Sequence, residues 1–158
     1  ALNRAIFALE NPSDELLGKM RSTKGGVLWR FDGLKIRIDL QAESGKLDIN
    51  TADPVLLRGV IALLFADDEA VAEAAIQRLS TWREAGRRFE FVEALLRPAD
   101  RLRHPVVNVR RVFTVLTGQT GVDPAAASDM LLSALPGQSR SEVEALRAAR
   151  AAGTTRRL

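Results

Sequence analysis

A chain of 158 residues with 46% hydrophobic and 27% charged residues has enough apolar material for one domain or two small ones, and its composition excludes a disordered polymer. The lack of cysteine excludes a disulfide framework, a thiolate nucleophile and a cysteine zinc site. The net charge of +3 sits entirely in residues 140–158, where five arginines stand against Glu142 and Glu144, so composition forces no phosphate-gripping face on the neutral remainder.

Leu2, Ala5, Ile6 and Leu9 recur at helical spacing and stop at Asn11-Pro12, where the proline ring ends a helix. With no Met before Ala1, this stretch reads as the end of a helix that begins upstream. A further helical turn fits 13–20, and 23–26 is loop. In "VLWRFDGLKIRIDLQ", Val27, Trp29 and Phe31 alternate with Leu28 and Arg30, and Leu34, Ile36, Ile38 and Leu40 alternate with polar residues. Asp32-Gly33 between them tolerates the positive φ angles of a type I′ turn, so a β-hairpin with one buried face is predicted.

After Ser44-Gly45 the period changes from 2 to 3.6. Asp53 is placed to N-cap a helix with Pro54 in its first turn, and Val55, Leu56, Val60, Ile61 and Leu64 form its expected apolar stripe. Asp67 or Asp68 caps a second helix that points Val71, Ala75, Leu79 and Trp82 inward and ends near Gly86. A third, short helix is expected over Phe91–Leu96, stopped by Pro98, with a turn at Pro105 and a strand over Val112–Gly118. "GVDPAAASDMLLSALPG" resembles "INTADPVLL" in pattern, suggesting a second related helical unit. Ser141 and Glu144 fit a capping box for a last helix with Val143 and Leu146 inward, ended by Gly153.

Candidate chemistry is sparse. His104 is the single histidine, and without further ligands or a nucleophile it makes neither a metal site nor a triad. Asp67-Asp68-Glu69 lacks the spaced oxygens and glycine of a calcium loop and reads as carboxylates gathered at a helix N-terminus. Arg83, Arg87 and Arg88 read as a solvated helix C-terminus, and Trp29 and Trp82 as core anchors. No phosphate loop, nucleophile elbow or paired-carboxylate spacing occurs, so a small hydrolase has nothing to work with and an enzyme is not expected. The longest apolar run, Val55–Ala66, contains Arg58 and falls short of the roughly 20 residues that span a bilayer. Nucleic-acid binding is the serious alternative, because "GKLDINTADPVLLRGVIALL" opens as helix-hairpin-helix units do. Such a unit brings backbone N–H groups to a phosphate through a glycine-rich hairpin. Here the connection is "FADDEA", glycine-free and carrying three carboxylates, which repel phosphate.

Four pieces in order resemble the minor pseudopilin K (general secretion pathway protein K) family of type II secretion: "ESGKLDINTADPVLL", "AIQRLSTWREAG", "FEFVEALLRPAD" and "FTVLTGQTGVDPAAASDMLLSALPG". Together they extend over residues 43–137. The resemblance implies an α+β fold in which a truncated pilin-like N-terminal helix and a small antiparallel sheet carry a large all-helical insert of helix-hairpin-helix-like or SAM-like type. The expected domains are 1–42, the helix end and hairpin; 43–104, a first helical unit; and 105–158, a strand, a second helical unit and a basic tail. It further implies an inner-membrane anchor in a missing N-terminal segment, a soluble part in the periplasm of a Gram-negative bacterium, and a non-enzymatic role at the pseudopilus tip with minor pseudopilins I and J. Leu2, Ala5, Ile6 and Leu9, with the hairpin's outward residues, are the expected partner contacts, and nucleic acid is not expected as a partner. Some family members bind calcium after the Trp motif, but "WREAGRRFEF" supplies no such loop, so no cofactor or metal ligand is carried over. The family also continues with strands after its last helix, whereas this sequence runs to "TTRRL", so the expected sheet is incomplete.

Overall fold

The structure, a computed structural model, describes residues 3, 6–7, 10–11, 15, 27–38, 41–104, 106–134 and 139–151. The chain forms two compact units, Ala1–Gln41 and Ala42–Leu158. The class is mixed α+β, with one antiparallel and one parallel strand pair.

In the first unit Asn3, Ile6, Phe7 and Glu10 are helical. Asn11 donates both its backbone N–H (3.1 Å) and its Nδ2 (2.7 Å) to the Phe7 carbonyl, which occupies an acceptor that the helix end leaves over. The expected turn at 13–20 falls outside the described residues except for Glu15, which is helical. The hairpin forms as predicted, with β1 (Val27–Phe31) antiparallel to β2 (Leu34–Ile38) in the register Val27↔Ile38. Asp32 and Gly33 take φ of 47° and 75°, both positive as a type I′ turn requires. Val27, Ile36 and Ile38 are half-buried, while Leu34 at the turn is exposed. Leu40 and the side chain of Trp29 fall outside the description.

The second unit is organised by a pair of very short strands. A 3₁₀ turn at Glu43–Gly45 leads into β3 (Leu47–Asp48), which pairs in parallel with β4 (Phe113–Thr114). Parallel pairing needs a long crossover, and here it contains most of the helices: α1 (Pro54–Leu64), α2 (Glu69–Glu84), a 3₁₀ turn at Val92–Leu95, α3 (Pro98–Arg101) and α4 (Val106–Val112). After β4 come α5 (Asp129–Ala134) and α6 (Arg140–Ala151). Leu131 and Leu132 of α5 and Val143 of α6 join the same buried cluster as Leu47, Ile61 and Leu79. Residues 43–104 and 105–158 therefore share one core.

Local signals set most element boundaries. The Asp53 carboxylate accepts from the N–H groups of Val55 (2.8 Å) and Leu56 (3.1 Å), with Pro54 in the first turn. Asp68 caps α2 through the Val71 N–H at 3.2 Å. At the other end of α2, Gly86 takes φ 67°. There the Arg87 N–H reaches the Trp82 carbonyl and the Gly86 N–H that of Arg83, the paired bonds of a Schellman motif.

Four expectations need correction. Val55 is 70% exposed and Leu57 is buried in its place, because the inward arc is Leu56, Leu57, Val60, Ile61 and Leu64, and Val55 lies half a helix turn from Leu64. Residues 91–96 make only a 3₁₀ turn between extended Phe91 and Leu96, and Pro98 opens α3 rather than merely ending its predecessor. The strand expected over Val112–Gly118 shrinks to two residues. Val109 and Val112, three apart, are buried on a helix instead, and the Leu116 N–H turns back to Thr114 Oγ1 at 3.1 Å. The last helix is capped by Ser139 and Glu142, not by Ser141 and Glu144. The Ser139 N–H donates to Glu142 Oε2 (2.7 Å), and the Glu142 N–H donates to Ser139 Oγ (3.3 Å). The same Ser-x-x-Glu spacing occurs twice, two residues apart, and the earlier copy starts the helix sooner. Pro105 and Gly153 lie outside the described residues.

Gly45 is where two distant segments meet. A Cβ added there would lie 2.3 Å from the carbonyl oxygen of Ala126, and a backbone atom cannot rotate away as a side chain does. Gly45→Ala is expected to destabilise the second unit by about 3 kcal/mol, read as a lower urea midpoint with unchanged m-value.

Candidate functional site

Asp48 is fully buried, and its carboxylate is surrounded by donors. Oδ1 accepts the Asn50 N–H at 2.9 Å. Oδ2 accepts the Gly118 N–H at 2.8 Å and the Thr117 hydroxyl at 3.4 Å. The Asp48 carbonyl also takes the N–H groups of Thr51 and Ala52. Around this clasp the same two segments are stitched again. Thr51 Oγ1 donates to the Gln119 carbonyl at 2.7 Å, the Asp123 N–H donates to the Ser44 carbonyl at 2.8 Å, and the Ile49 N–H donates to the Thr114 carbonyl at 3.0 Å. Asn50 works on a third segment. Its Oδ1 accepts the Phe89 N–H at 2.7 Å while its Nδ2 donates to the Phe89 carbonyl at 3.0 Å, imitating one rung of a sheet. Trp82 stacks on Phe89 with ring centroids 4.6 Å apart, and Arg83 Nη1 reaches the Ala52 carbonyl at 2.8 Å.

The residues of "GKLDIN", "TWREAG", "FEF" and "VLTGQTGVDP" thus converge on one joint, whose polar groups are spent internally. Arg83 belongs to this joint and not to a solvated helix end. Arg87 and Arg88 are exposed. Asp123 is likewise occupied: Oδ1 accepts the Ala125 N–H at 2.9 Å and Oδ2 the Ser44 hydroxyl at 3.4 Å. Asp123 and Ser44 border an open cleft lined by Ser44 and residues 118–124.

A second polar cluster lies at the α1–α2 corner. Asp68 Oδ2 meets His104 Nε2 at 3.2 Å and Arg103 Nη1 at 3.5 Å, and the His104 ring stands edge-on to Phe65 at 5.2 Å. The hydrogen bond from His104, then that from the Val71 N–H, holds the Asp68 carboxyl below its ordinary range. Next to it Asp100 is 1% exposed and is gripped by Arg97 Nε (2.7 Å), Arg97 Nη2 (3.2 Å) and Arg103 Nη2 (3.2 Å). The Arg97 hydrogen bond, more than offsetting burial, lowers its pKa. His104 is therefore a half-buried strut between the start of α2 and the turn after α3. Among the described residues no hydroxyl is hydrogen-bonded to it.

This corner also bears on phosphate binding. The N–H groups of Asp68, Val71 and Ala72 already donate to the Phe65 and Asp68 carbonyls, while Asp67 and Glu69 point their charges to solvent. Three of the corner's donors are occupied and its carboxylates are exposed, which is unfavourable for an anion. Among the described residues no group of three His, Asp or Glu side chains is placed to hold a metal ion, and no helix is long and apolar enough to cross a membrane.

Of the expected partner contacts, Ile6 is helical and 43% exposed. Leu2, Ala5 and Leu9 lie outside the described residues. Phe7, which the spacing argument passed over because it is off the Leu2–Ile6–Leu9 stripe, is 53% exposed. Only the size of an aromatic side chain on a helix beside that stripe signalled it. In the second unit the outward face of α1 is apolar as well, with Val55, Gly59, Ala62 and Leu63 exposed and Arg58 at its border.

Comparison of the chain with protein-family models, with curated proteins and with solved structures finds no match.

Two measurements probe these clusters. Asn50→Ala strips both partners from the backbone of buried Phe89 and is expected to cost about 3 kcal/mol. Asn50→Asp, which sets an oxygen against the Phe89 carbonyl, should do no better. A folded pKa lowered at Asp100 means stability that is complete above the unfolded Asp value of about 3.9 and lost as pH falls through the lower, folded value. Asp100→Asn should accordingly lower the melting temperature near neutrality. Its deficit against the wild-type chain should shrink on acidification below about pH 4.

Proposed function

We propose that this chain is the soluble part of a type II secretion minor pseudopilin of the K kind, a non-enzymatic assembly protein at the pseudopilus tip that supports export of folded proteins. The observation that carries the reading is the order of the four motif pieces across residues 43–137, together with their convergence on the joint built around Asp48, Asn50 and Gly45. A set of short motifs kept together by one packing arrangement argues for a common architecture more strongly than each does alone. In this reading the first unit supplies the pilin-like helix end and hairpin, and the second unit is the helical insert. The anchor is an apolar inner-membrane segment upstream of Ala1, the soluble part faces the periplasm, and minor pseudopilins of the I and J kinds are the partners. No metal enters the reading.

Exposed apolar surface supports an assembly role. Ile6 and Phe7 put two large side chains in solvent on one helix, as a helix that docks on others does. The alternative, a helix-hairpin-helix-like module for nucleic acid or DNA uptake, would place phosphate either at the α1–α2 corner, where Asp67 and Glu69 are exposed, or at the less acidic connection "LPGQSRSE" of the second helical unit.

Co-expression with the two partner pseudopilins should give a stable three-protein complex on size exclusion. Ile6→Asp with Phe7→Asp should weaken it about tenfold or more without changing the melting of the second unit. Retention on duplex DNA that falls steeply with salt, with no such complex, would transfer the case to the nucleic-acid module.

A further inference from the structure

The start of α1 lies beside the end of α2, and a notch of about 160 Å³ opens between them. Pro54 and Arg58 line it from α1, and Leu79, Ser80, Arg83 and Glu84 line it from α2. Spacings of three and four put these side chains on the facing sides of their helices. Two guanidinium groups therefore meet at one small opening. Arg58 Nη2 donates to Ser80 Oγ at 3.4 Å, and Arg83 Nη1 donates to the Ala52 carbonyl at 2.8 Å. Each arginine thus commits one of the five N–H donors a guanidinium carries. Among the described residues no carboxylate pairs with either arginine, exposed Glu84 included, and the Ser80 hydroxyl donates to no acceptor. Unspent donors outnumber acceptors here, beside the buried Leu79 and the ring of Pro54.

We propose that the notch is a binding site for a single carboxylate on a short apolar stem, held between Arg58 and Arg83 with the Ser80 hydroxyl as a further donor. Guanidinium groups take carboxylates through paired N–H···O bonds. Arg83 is already anchored by the Ala52 carbonyl, so the fold meets part of the cost of ordering it. Two cations against Glu84 leave one positive charge, which a carboxylate neutralises. A phosphate group, with its charge near −2, overshoots that balance and is repelled more strongly by Glu84. The apolar stem lies against Pro54 and Leu79. The notch has about half the volume at the lower end of the roughly 300–1,000 Å³ range that encloses drug-sized ligands, so it takes one side chain or one small acid. A free acid and the acidic side chain of another protein present the same group. The site stands apart from the secretion role and does not depend on it.

The test titrates the full chain, labelled with ¹⁵N, with butyrate in one arm and with a blocked Ala-Glu-Ala peptide in the other. Butyramide, the Gln-for-Glu peptide and inorganic phosphate serve as comparisons. Saturable shifts at the amides of residues 55–58 and 79–84, absent with the two neutral compounds and weakened by salt, are expected. R58Q should weaken binding about tenfold at an unchanged melting temperature, because Arg58 is exposed and its one hydrogen bond is long. R58K, which keeps the charge and loses the fork, should recover only part of that loss. E84Q should tighten binding about threefold, because it removes the competing carboxylate. Tighter binding of butyrate supports the site and identifies a free acid as its source; tighter binding of the peptide supports it and identifies a protein side chain. An equal response to butyramide, shifts lying elsewhere, tighter binding of phosphate, or undiminished binding by R58Q would overturn the proposal.

Discussion

A carboxylate withdrawn from water must be given donors or it forces the chain to stay open around it. Asp48 is withdrawn completely, and its donors come from two places far apart in sequence: Asn50, just beyond it, and Thr117-Gly118, about seventy residues on. The second unit therefore closes only when both segments are present together. The parallel pair β3–β4 is two residues long on each side, too short to hold itself, and it exists because the clasp brings its strands into register. The Gly45–Ala126 approach and the Ser44–Asp123 bonds follow from the same closure.

Everything between the two strands is carried on that joint. Asn50 adds a third segment by pairing with the backbone of Phe89, which sets Trp82 against the Phe89 ring and so fixes where α2 ends relative to β3. The α1–α2 pair encloses Leu57, Val60, Ile61, Val71, Ala75 and Leu79, and α5 and α6 complete the cluster from the far end of the chain. The second polar group, Asp68–His104–Arg103–Asp100–Arg97, pins the turn after α3 to the start of α2. Both clusters spend their polar atoms on the fold. Among the described residues, large apolar side chains that neither cluster uses are exposed on the helix bearing Ile6 and on the outward side of α1.

That distribution explains why motif reading points to architecture more than to a site. The short pieces resembling a pseudopilin family are the ones that build the joint, where geometry tolerates few residue types. Gly45 faces a backbone atom, Asp48 needs three donors, and Asn50 must both donate and accept. Partner surfaces carry no such demand and leave only exposure and charge as traces. His104 illustrates the limit. Its sequence neighbours give no hint of a carboxylate partner, because Asp68 lies 36 residues away, at the cap of α2.

Local chemistry determined the hairpin, its type I′ turn, the Asp53 and Asp68 caps and the glycine end of α2, since each depends on residues close together in sequence, from two positions apart at the Asp53 cap to eleven at the hairpin's Val27–Ile38 end. Tertiary structure alone decided that Leu57 rather than Val55 joined the inward face of α1, that Val106–Val112 is helix and only Phe113–Thr114 strand, and that elements before and after Pro105 share one core. Those outcomes rest on burial and on bonds spanning tens of residues, as Asp48 with Gly118 and Asn50 with Phe89 show. Such bonds leave no period in the sequence, because the two partners are neighbours only after the chain has closed.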